Sequence, residues 1–350
     1  MMIAKWLYAK GRWALLGVFC STLIVACERR PLEEELPIVA KIPVKIYWDL
    51  AEIAPKNATI LFYSADGSLY KEWQTASQPT YAEGEVELAP GSYTAVVFNE
   101  LMNQIDYVRL RGSEKLETLE AYVTANPSPV YKFSFRDENE VQVNQPGILA
   151  ACMATINVTP DMVTRSQAEV RSSAFDALID LHPDRKTAQA NMLVHVRGLN
   201  NARMPAVAEL RHMASSYFFA TDRNSLAPVT SQFRMNNRTY DPGSKTDGTI
   251  SAMITTFGVL GEWHHIGDTP DAAFYLDIAF MLADAQQTII EASVNITDLM
   301  EIIVDEKIMV TINIELNAPP LPEIKPVGGS DSGFSTELVD WDKIIVPLGR

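Results

Sequence analysis

Apolar residues at every second position dominate this chain, and this period limits its fold more than any other feature. The longest clean alternation covers residues 274–282, and another covers 308–316. Successive side chains of a β-strand point to opposite faces of the sheet, so the pattern predicts strands with one buried face. Many short strands and few helical periods favour β-sandwiches over a parallel sheet. We therefore predict an all-β fold with two sandwiches in tandem.

Shorter alternating runs predict further strands, and turn sequences join several of them. Asp66-Gly67 lies between the runs at 60–62 and 69–73, an order that predicts a hairpin. The other predicted strands cover 44–50, 86–88, 94–98, 156–158, 192–196, 216–220 and 249–260.

Two stretches depart from the alternation. Residues 113–123 have apolar residues at helical spacing behind a capping Ser113, which predicts a short helix or an ordered loop at a sheet edge. Residues 166–181 fit either a helix or a long loop.

A polar segment between two turn clusters is the best candidate for a domain boundary. The clusters are Asn-Pro-Ser-Pro at 126–129 and Asn-Gln-Pro-Gly at 144–147. The predicted organisation is a signal peptide at 1–26, an acidic tether at 27–40, an N-terminal β-sandwich at 41–147, a C-terminal β-sandwich at 148–316, and a connector with a C-terminal strand at 317–350.

The C-terminal segment combines a flexible connector with a predicted strand. Pro and Gly clusters occur at 318–322 and 328–330, and apolar residues recur within 334–348. A strand on such an arm either folds back onto its own sheet or adds to the sheet edge of another subunit. Both alternatives stay open at the level of sequence.

The N-terminus predicts export and lipidation at Cys27. Three basic residues precede an apolar run at 13–26 that is shorter than a membrane-spanning helix, as in a signal peptide. The residues Ile24-Val25-Ala26-Cys27 resemble the lipobox of bacterial lipoproteins. That resemblance implies cleavage between Ala26 and Cys27 and attachment of acyl chains such as palmitate to Cys27. The alternative is a short membrane anchor that is never cut.

An acidic leader follows the predicted lipidation site. Glu33, Glu34 and Glu35 suit a solvated spacer between the membrane and the folded part. They also resemble the acidic tracts that route some Bacteroidetes lipoproteins to the cell surface, and both interpretations stay open.

Charge and cysteine content exclude several classes of function. The full chain has a net charge of −15, and loss of residues 1–26 removes three positive charges and no negative ones, which gives −18. Nucleic-acid binding needs a basic face, so we predict no nucleic-acid partner. With Cys20 in the signal peptide and Cys27 acylated, Cys152 is left as a single thiol, so no internal disulfide forms. Its small and apolar neighbours predict a buried, inert thiol.

No catalytic signature is found, and we predict no enzyme, metal site or cofactor. The chain has neither a Gly-x-Ser-x-Gly nucleophile turn nor a Walker phosphate loop. Adjacent His264 and His265 face opposite sides in a strand and so cannot chelate one metal together unless they lie in a loop. His195 fits an exposed or half-buried strand face. The remaining histidines are His182 and His212.

Acidic pairs and tryptophans have ordinary explanations. The pairs Asp271 with Asp277 and Asp298 with Glu301 have the composition of glycosidase carboxylates, but acidic residues are so plentiful here that we predict solvated surface. A sugar-stacking platform is a conceivable use of the tryptophans, whereas core packing is the more common one. These tryptophans are Trp48, Trp73 and Trp263.

Several segments together resemble the anchor and accessory lipoproteins of Bacteroidetes fimbriae, the type V pili. The resemblance covers nearly the whole chain and implies two tandem transthyretin-like, Greek-key β-sandwich domains with short helical insertions. It also implies a subunit at the outer membrane whose partners are pilins and accessory subunits. The matching segments are 44–50, Leu-Ala-Pro-Gly-Ser-Tyr at 88–93, Leu-Val-His-Val-Arg-Gly-Leu-Asn-Asn-Ala at 193–202, and Gly-Gly-Ser at 328–330 followed by Phe334 and Trp341.

The resemblance further implies an anchor or accessory role. Shaft pilins of that group lose a leader to an arginine-directed protease. Here Arg29 and Arg30 lie so close to Cys27 that cleavage would release the protein from its lipid, and no Arg follows before Val44. We therefore expect a lipid-anchored, surface-exposed subunit that fixes or nucleates fimbriae and supports adhesion. The alternatives are a surface lipoprotein that binds a glycan or host ligand outside any pilus, and an enzyme.

Overall fold

A computed structural model describes residues 38–136, 139–167, 179–261, 273–324 and 346–347. The chain divides into two compact units, Met1–Val39 and Ala40–Arg350. Only Ile38 and Val39 of the first unit fall within the described residues. The second unit contains all the strands and helices given below.

The first half of the second unit is almost entirely β-structure. Its strands are β1 (Ala40–Tyr47), β2 (Asn57–Ser64), β3 (Leu69–Ala76), β4 (Tyr81–Leu88), β5 (Gly91–Asn99), β6 (Val108–Arg111), β7 (Glu120–Val123), β8 (Gln142–Val143), β9 (Ala150–Val158), β10 (Ile179–Leu181) and β11 (Asp184–Arg185). The helix α1 spans Pro160–Gln167, and a 3₁₀ turn spans Leu116–Thr118.

The second half continues in the same way. Its strands are β12 (Ala188–Val196), β13 (Ala202–Ala214), β14 (Ser216–Phe218), β15 (Arg223–Asn224), β16 (Pro228–Met235), β17 (Asn237–Tyr240), β18 (Gly248–Thr256), β19 (Tyr275–Leu282), β20 (Ile289–Asn295), β21 (Met300–Val304), β22 (Val310–Asn317) and β23 (Val346–Pro347). Short 3₁₀ turns span Leu199–Asn201, Phe219–Thr221 and Thr297–Leu299.

Two sheets enclose the first hydrophobic core. Sheet I has the strand order β10-β1-β4, and sheet II has the order β11-β9-β5-β2-β3. In β1, Ile42, Val44 and Ile46 alternate with more exposed residues and are at most 1% exposed, because they face this core. Trp48 is buried in the same core, as the sequence predicted.

A second pair of sheets encloses the second core. Sheet III has the order β17-β18-β12-β22-β21, and sheet IV has the order β23-β20-β19-β13-β16-β8. The strict alternation of β12 puts Met192 and Val194 into the core between the two sheets. Ile312 of β22 lies beside them in sheet III, and Ile278 of β19 belongs to the same core from sheet IV. The strands predicted at 274–282 and 308–316 are thus confirmed as β19 and β22.

A third core connects the two halves of the second unit. Leu61, Tyr63 and Phe98 lie on the outer face of sheet II and pack against sheet V, whose order is β15-β14-β7-β6. Because both faces of sheet II are covered, the six central residues of β2 are all buried. Phe257 and Leu260 reach this core from the segment after β18.

The structure confirms some local predictions and changes others. The β2–β3 hairpin forms as expected, with Gly67 in the left-handed region at φ +79°. The stretch 113–123 contains one 3₁₀ turn and then strand β7 instead of a helix. Within 166–181, helix α1 ends at Gln167 and strand β10 begins at Ile179. Residues 168–178 lie outside the described residues.

Strand β9 follows directly after the predicted boundary at 147/148, yet it pairs with β5 in sheet II. The first sandwich therefore includes residues up to Arg185, and the predicted division of the chain into domains stays a prediction.

The predicted C-terminal strand lies mostly outside the described residues. Val346 and Pro347 form a parallel pairing with Ala292 and Ser293 of β20 in the same chain. For these two residues the arrangement matches the fold-back alternative.

Candidate functional site

A segment of irregular structure lies across the outer face of sheet IV, over a cluster of polar side chains. We call it the covering segment, residues 126–136 and 139–143. Its last two residues form β8, which pairs in parallel with β16 at the sheet edge. Phe133 of this segment is 1% exposed and contacts the ring of Tyr131 edge-on at 4.9 Å. The covering segment therefore fills a sheet face that would otherwise be solvent-exposed.

Gln232 of β16 holds the start of the covering segment by its backbone. Its Oε1 accepts hydrogen bonds from the backbone N–H of Val130 at 2.6 Å and of Tyr131 at 3.1 Å, and its Nε2 donates to the carbonyl of Tyr131 at 2.7 Å. One side-chain amide thus satisfies backbone groups as a neighbouring strand would.

Glu291 of β20 holds the middle of the covering segment. Its carboxylate accepts hydrogen bonds from the backbone N–H of Ser134, at 3.3 and 3.2 Å, and from the hydroxyl groups of Ser134 and Tyr131. Glu291 is 2% exposed. Burial raises the pKa of Tyr131 above its ordinary value, and the hydrogen bond to Glu291 adds a smaller effect in the same direction.

Glu140 forms an ion-pair cluster with two neighbouring residues of β13. Arg211 Nε donates to Glu140 Oε1 at 3.0 Å, and His212 Nε2 lies 2.9 Å from the same oxygen. Side chains of consecutive strand residues normally point to opposite faces. A β-bulge at His212, with φ +68°, rotates this residue so that both side chains reach one carboxylate.

The bonding of His212 requires a charged imidazolium. Its Nδ1 lies 2.5 Å from the carbonyl of Ala273, which accepts only, and its Nε2 faces the Glu140 carboxylate. The hydrogen bond to Glu140 raises the pKa of His212. Burial alone would raise the pKa of Glu140, but the hydrogen bonds from His212 and Arg211 outweigh it and hold the pKa at about 2.

Two fully buried carboxylates lie side by side beneath the covering segment. Glu209 and Asp277 are direct cross-strand neighbours on β13 and β19, and each is 0% exposed. Asp277 accepts from Ser293 Oγ at 2.6 Å and from Arg211 Nη1 at 3.4 Å. Burial raises the pKa of Glu209 to about 7 and that of Asp277 to about 6, despite these hydrogen bonds.

The burial of Asp277 corrects the prediction that it belongs to a solvated surface. The covering segment removes this face from water, and no pattern within β19 reveals that cover. Asp298 and Glu301 are exposed as predicted, and Asp271 lies outside the described residues. Sequence reasoning also missed Glu209 and Glu291. A lone carboxylate within an apolar run, as in Ala-Val-Ala-Glu-Leu at 206–210, is the sequence signal that could have indicated the burial of Glu209.

A second buried ionic cluster lies at the junction of the two halves. Lys186 Nζ is 3.1 Å from Asp184 Oδ2 and 3.0 Å from Asp222 Oδ1, and the lysine side chain is 8% exposed. Tyr217 of sheet V donates its hydroxyl to Asp222 at 2.5 Å. Burial raises the pKa of Asp184. Together with the third core, this cluster ties β11 to sheet V.

The remaining predicted residues are distributed over the surface or lie outside the described part. His195 is half-buried on the outer face of sheet III, where its Nε2 lies 2.7 Å from Glu315, as a strand-face position predicts. His182 stacks on Tyr47 near the surface. Burial raises the pKa of Cys152 to about 12, in agreement with an inert thiol. The residues outside the described part are Ala26, Cys27, Trp263, His264 and His265.

Neither a metal-binding cluster nor a membrane-spanning helix is found among the described residues. Nowhere in 38–136, 139–167, 179–261 or 273–324 do three metal-binding side chains form a group able to hold an ion. Among the described helices, none has the length and hydrophobicity that a membrane span needs.

Residues 26–234 match a family described as a domain of unknown function, DUF5119. The chain belongs to this family. A Bacteroides ovatus protein named as a fimbrium anchoring subunit, Fim4B, is 31% identical over 113 residues, which are 32% of this chain and 32% of that protein. The chain thus matches about a third of the length of this relative.

One solved structure resembles this DUF5119 member in fold. A crystal structure of a B. ovatus protein described as an adhesin superimposes with a TM-score of 0.52 at 20% identity, over 85% of this chain and 98% of that chain. The fimbrial anchor protein Mfa2 from Porphyromonas gingivalis aligns with a TM-score of 0.43 at 11% identity, over 80% of this chain and 90% of that chain. The predicted all-β sandwich fold is confirmed by the first of these structures, and the predicted resemblance to fimbrial anchor and accessory proteins is confirmed by Fim4B.

Proposed function

We propose that this DUF5119 member is a lipid-anchored structural subunit that fixes or nucleates fimbriae at the outer membrane and supports adhesion. The observation that carries the proposal is the lipobox-like Ile24-Val25-Ala26-Cys27 in a chain related to a protein named for fimbrium anchoring. Its partners are fimbrial pilin and accessory subunits, and its role is structural, without cofactor or catalysis.

Lipidation of Cys27 supplies the attachment in this proposal. Each acyl methylene buried in a bilayer contributes about 0.8 kcal/mol, so a single chain binds reversibly while two or more hold firmly. The acidic residues that follow Cys27 keep the folded part in solvent at the cell surface.

The sequence before β1 supports an anchor over a shaft subunit, because no Arg at which a leader could be cut lies between Arg30 and this strand. This strand lies between β4 and β10, and Ala40, Ile42 and Ile46 are each 0% exposed. Removal of β1 would open the first core along the length of this strand. Leader cleavage opens a groove of this kind in the shaft pilins of type V fimbriae. A retained β1 keeps the first sandwich closed, as a subunit at the end of a filament requires.

The junction between the two halves supports a load-bearing role. A filament held by an N-terminal lipid transmits tension through its anchor subunit. The third core and the Lys186 cluster join the halves through both apolar and ionic contacts. Close packing of this kind resists separation better than a solvated linker.

The proposal is tested by Cys27→Ala in the native host, with Cys152→Ala as the matched control. Electron microscopy then counts filaments on cells and in the medium. We expect filaments shed into the medium, or abnormally long ones, with Cys27→Ala and normal cell-bound filaments with Cys152→Ala. Unchanged cell-bound filaments in the Cys27 variant would refute the anchor role.

A further inference from the structure

The outer face of sheet III is an exposed sheet surface with an unusual composition. On β12, β18 and β22 the core residues alternate with half-buried or exposed residues that point outward. Most of these outward residues have amide or hydroxyl side chains, and no Lys or Arg is among them. In a chain with 73 charged residues, 44 of them acidic, such a face is a local exception.

A shallow cavity of about 430 Å³ opens at the centre of this face. Two adjacent rows of cross-strand neighbours form it. One row holds Asn191 beside Met253 and Asn313, and the other holds Leu193 beside Ser251 and Glu315. Asn237 of β17 and Glu301 of β21 line its two sides.

Side-chain hydrogen bonds orient the amides in this cavity. Gln189 Nε2 donates to Asn191 Oδ1 at 3.0 Å, and Asn191 Nδ2 donates to Asn313 Oδ1 at 3.1 Å. This chain of bonds uses the acceptor of Asn313 and leaves its Nδ2 group as a donor toward the cavity. Within the described part of the chain, no group hydrogen-bonds to the side chains of Asn237, Ser251 or Glu301.

We propose that this cavity binds a neutral glycan. Amide N–H groups donate to sugar hydroxyl oxygens, and the carboxylates of Glu301 and Glu315 accept from sugar hydroxyl groups. Leu193 and Met253 supply the apolar contact for the C–H face of a sugar ring, and Met253 is 65% exposed. A few placed polar groups around an apolar patch are the usual make-up of a small-ligand site.

The negative charge of the cavity favours neutral glycans over anionic ones. The site carries the carboxylates of Glu301 and Glu315, the latter in an exposed pair with His195, and its lining contains neither Lys nor Arg. Sialylated or sulfated sugars therefore meet like charge there. The inference concerns ligand recognition and does not depend on attachment of the chain to a fimbria.

The test uses the purified full-length chain on an array of neutral, sialylated and sulfated oligosaccharides. Met253→Arg places a bulky cation in the cavity at an exposed position, and Met153→Arg, at a residue 41% exposed on β9, is the matched control. Asn313→Asp replaces the amide donor with a carboxylate of the same shape. We expect binding to neutral glycans that falls at least about tenfold with Met253→Arg and Asn313→Asp and is unchanged with Met153→Arg.

Four outcomes would overturn the proposal. They are absence of binding to neutral glycans, preference for the anionic ones, neutral-glycan binding that survives both cavity variants, and loss of binding with the Met153 control as well. If the cavity variants leave glycan binding intact and instead remove the chain from isolated fimbriae, the face is a contact between subunits. Because glycan binding is measured on the isolated chain and anchoring on cells, failure of one does not imply failure of the other.

Discussion

His212 Nε2 donates a hydrogen bond to Glu140 Oε1 over 2.9 Å and so ties the bulge of β13 to the covering segment, 72 residues earlier in the chain. The same carboxylate accepts from Arg211, whose side chain is only 12% exposed. Two cations from adjacent residues therefore share one acid in a largely buried position. Removal of one partner from such a cluster leaves uncompensated charge, which is far more destabilising than loss of a surface pair.

Glu140→Gln should destabilise the protein by about 3 kcal/mol, because His212 then loses its carboxylate partner and Arg211 keeps only the longer contact of 3.4 Å with Asp277. Urea denaturation followed by fluorescence measures the free energy of unfolding. Glu315→Gln is the control, since it breaks the exposed pair with His195 and should change the free energy by less than about 1 kcal/mol. Equal effects of the two substitutions would contradict the cluster as described.

Stability should fall as the pH rises from about 5 to 8. Raised carboxyl pKa values mean that the native state binds more protons than the unfolded state between about pH 4 and the folded pKa values of about 7 for Glu209 and about 6 for Asp277. Stability is thus greatest at the acidic end and is lost as these groups ionise. The raised pKa of His212 acts in the same direction, since its contribution is complete below its unfolded pKa and is lost above the folded one.

Glu209→Gln isolates this effect, because a neutral amide of the same size cannot ionise. The variant should lose part of the slope between pH 5 and 8, on the order of 2 kcal/mol, while Glu301→Gln at the surface keeps the wild-type slope. Denaturation midpoints at several pH values provide the measurement. An unchanged slope in Glu209→Gln would mean that Glu209 titrates at an ordinary pKa.

Sequence patterns predicted strands better than the contacts between them. The Asp66-Gly67 hairpin and the alternation at 274–282 follow from local rules, and both are present. The burial of Asp277 does not follow from its own strand, because its cover is supplied by the distant covering segment. Tyr131 contacts Glu291 over a separation of 160 residues, and no local pattern encodes such a contact.

The place of β9 illustrates the same limit. Its alternation predicts a strand but not a partner, and turn residues at 144–147 indicated a boundary just before it. The structure pairs β9 with β5, where it covers the first core as well as part of the third. A turn cluster thus marks a change of direction, while the partner of a strand is decided by packing that the period does not contain.

Phe98→Ala should weaken the junction between the two halves. Phe98 is 0% exposed in the third core, 6.5 Å from the ring of Phe219, and loss of a buried Phe typically costs about 3–5 kcal/mol. We expect one cooperative thermal transition in the wild type and two in the variant, because the halves then unfold separately. Tyr70→Ala, at a residue 44% exposed, is the control and should keep one transition. Calorimetry measures the number of thermal transitions. A single transition in Phe98→Ala would show that the third core does not couple the unfolding of the two halves.

Lys186→Met should destabilise the junction by about 3–5 kcal/mol, because it leaves Asp184 and Asp222 without their shared cation. Methionine keeps most of the volume and the apolar stem of lysine, so the loss reports mainly on charge. Lys307→Met is the matched control, since its pair with Glu52 lies at the surface and its removal should leave the denaturation midpoint unchanged.

The burial of Asp184 raises its pKa even with Lys186 present, and loss of the cation should raise it further. The Lys186 variant should therefore recover stability as the pH is lowered toward 5, whereas a deficit that is constant with pH would assign the effect to packing instead of charge.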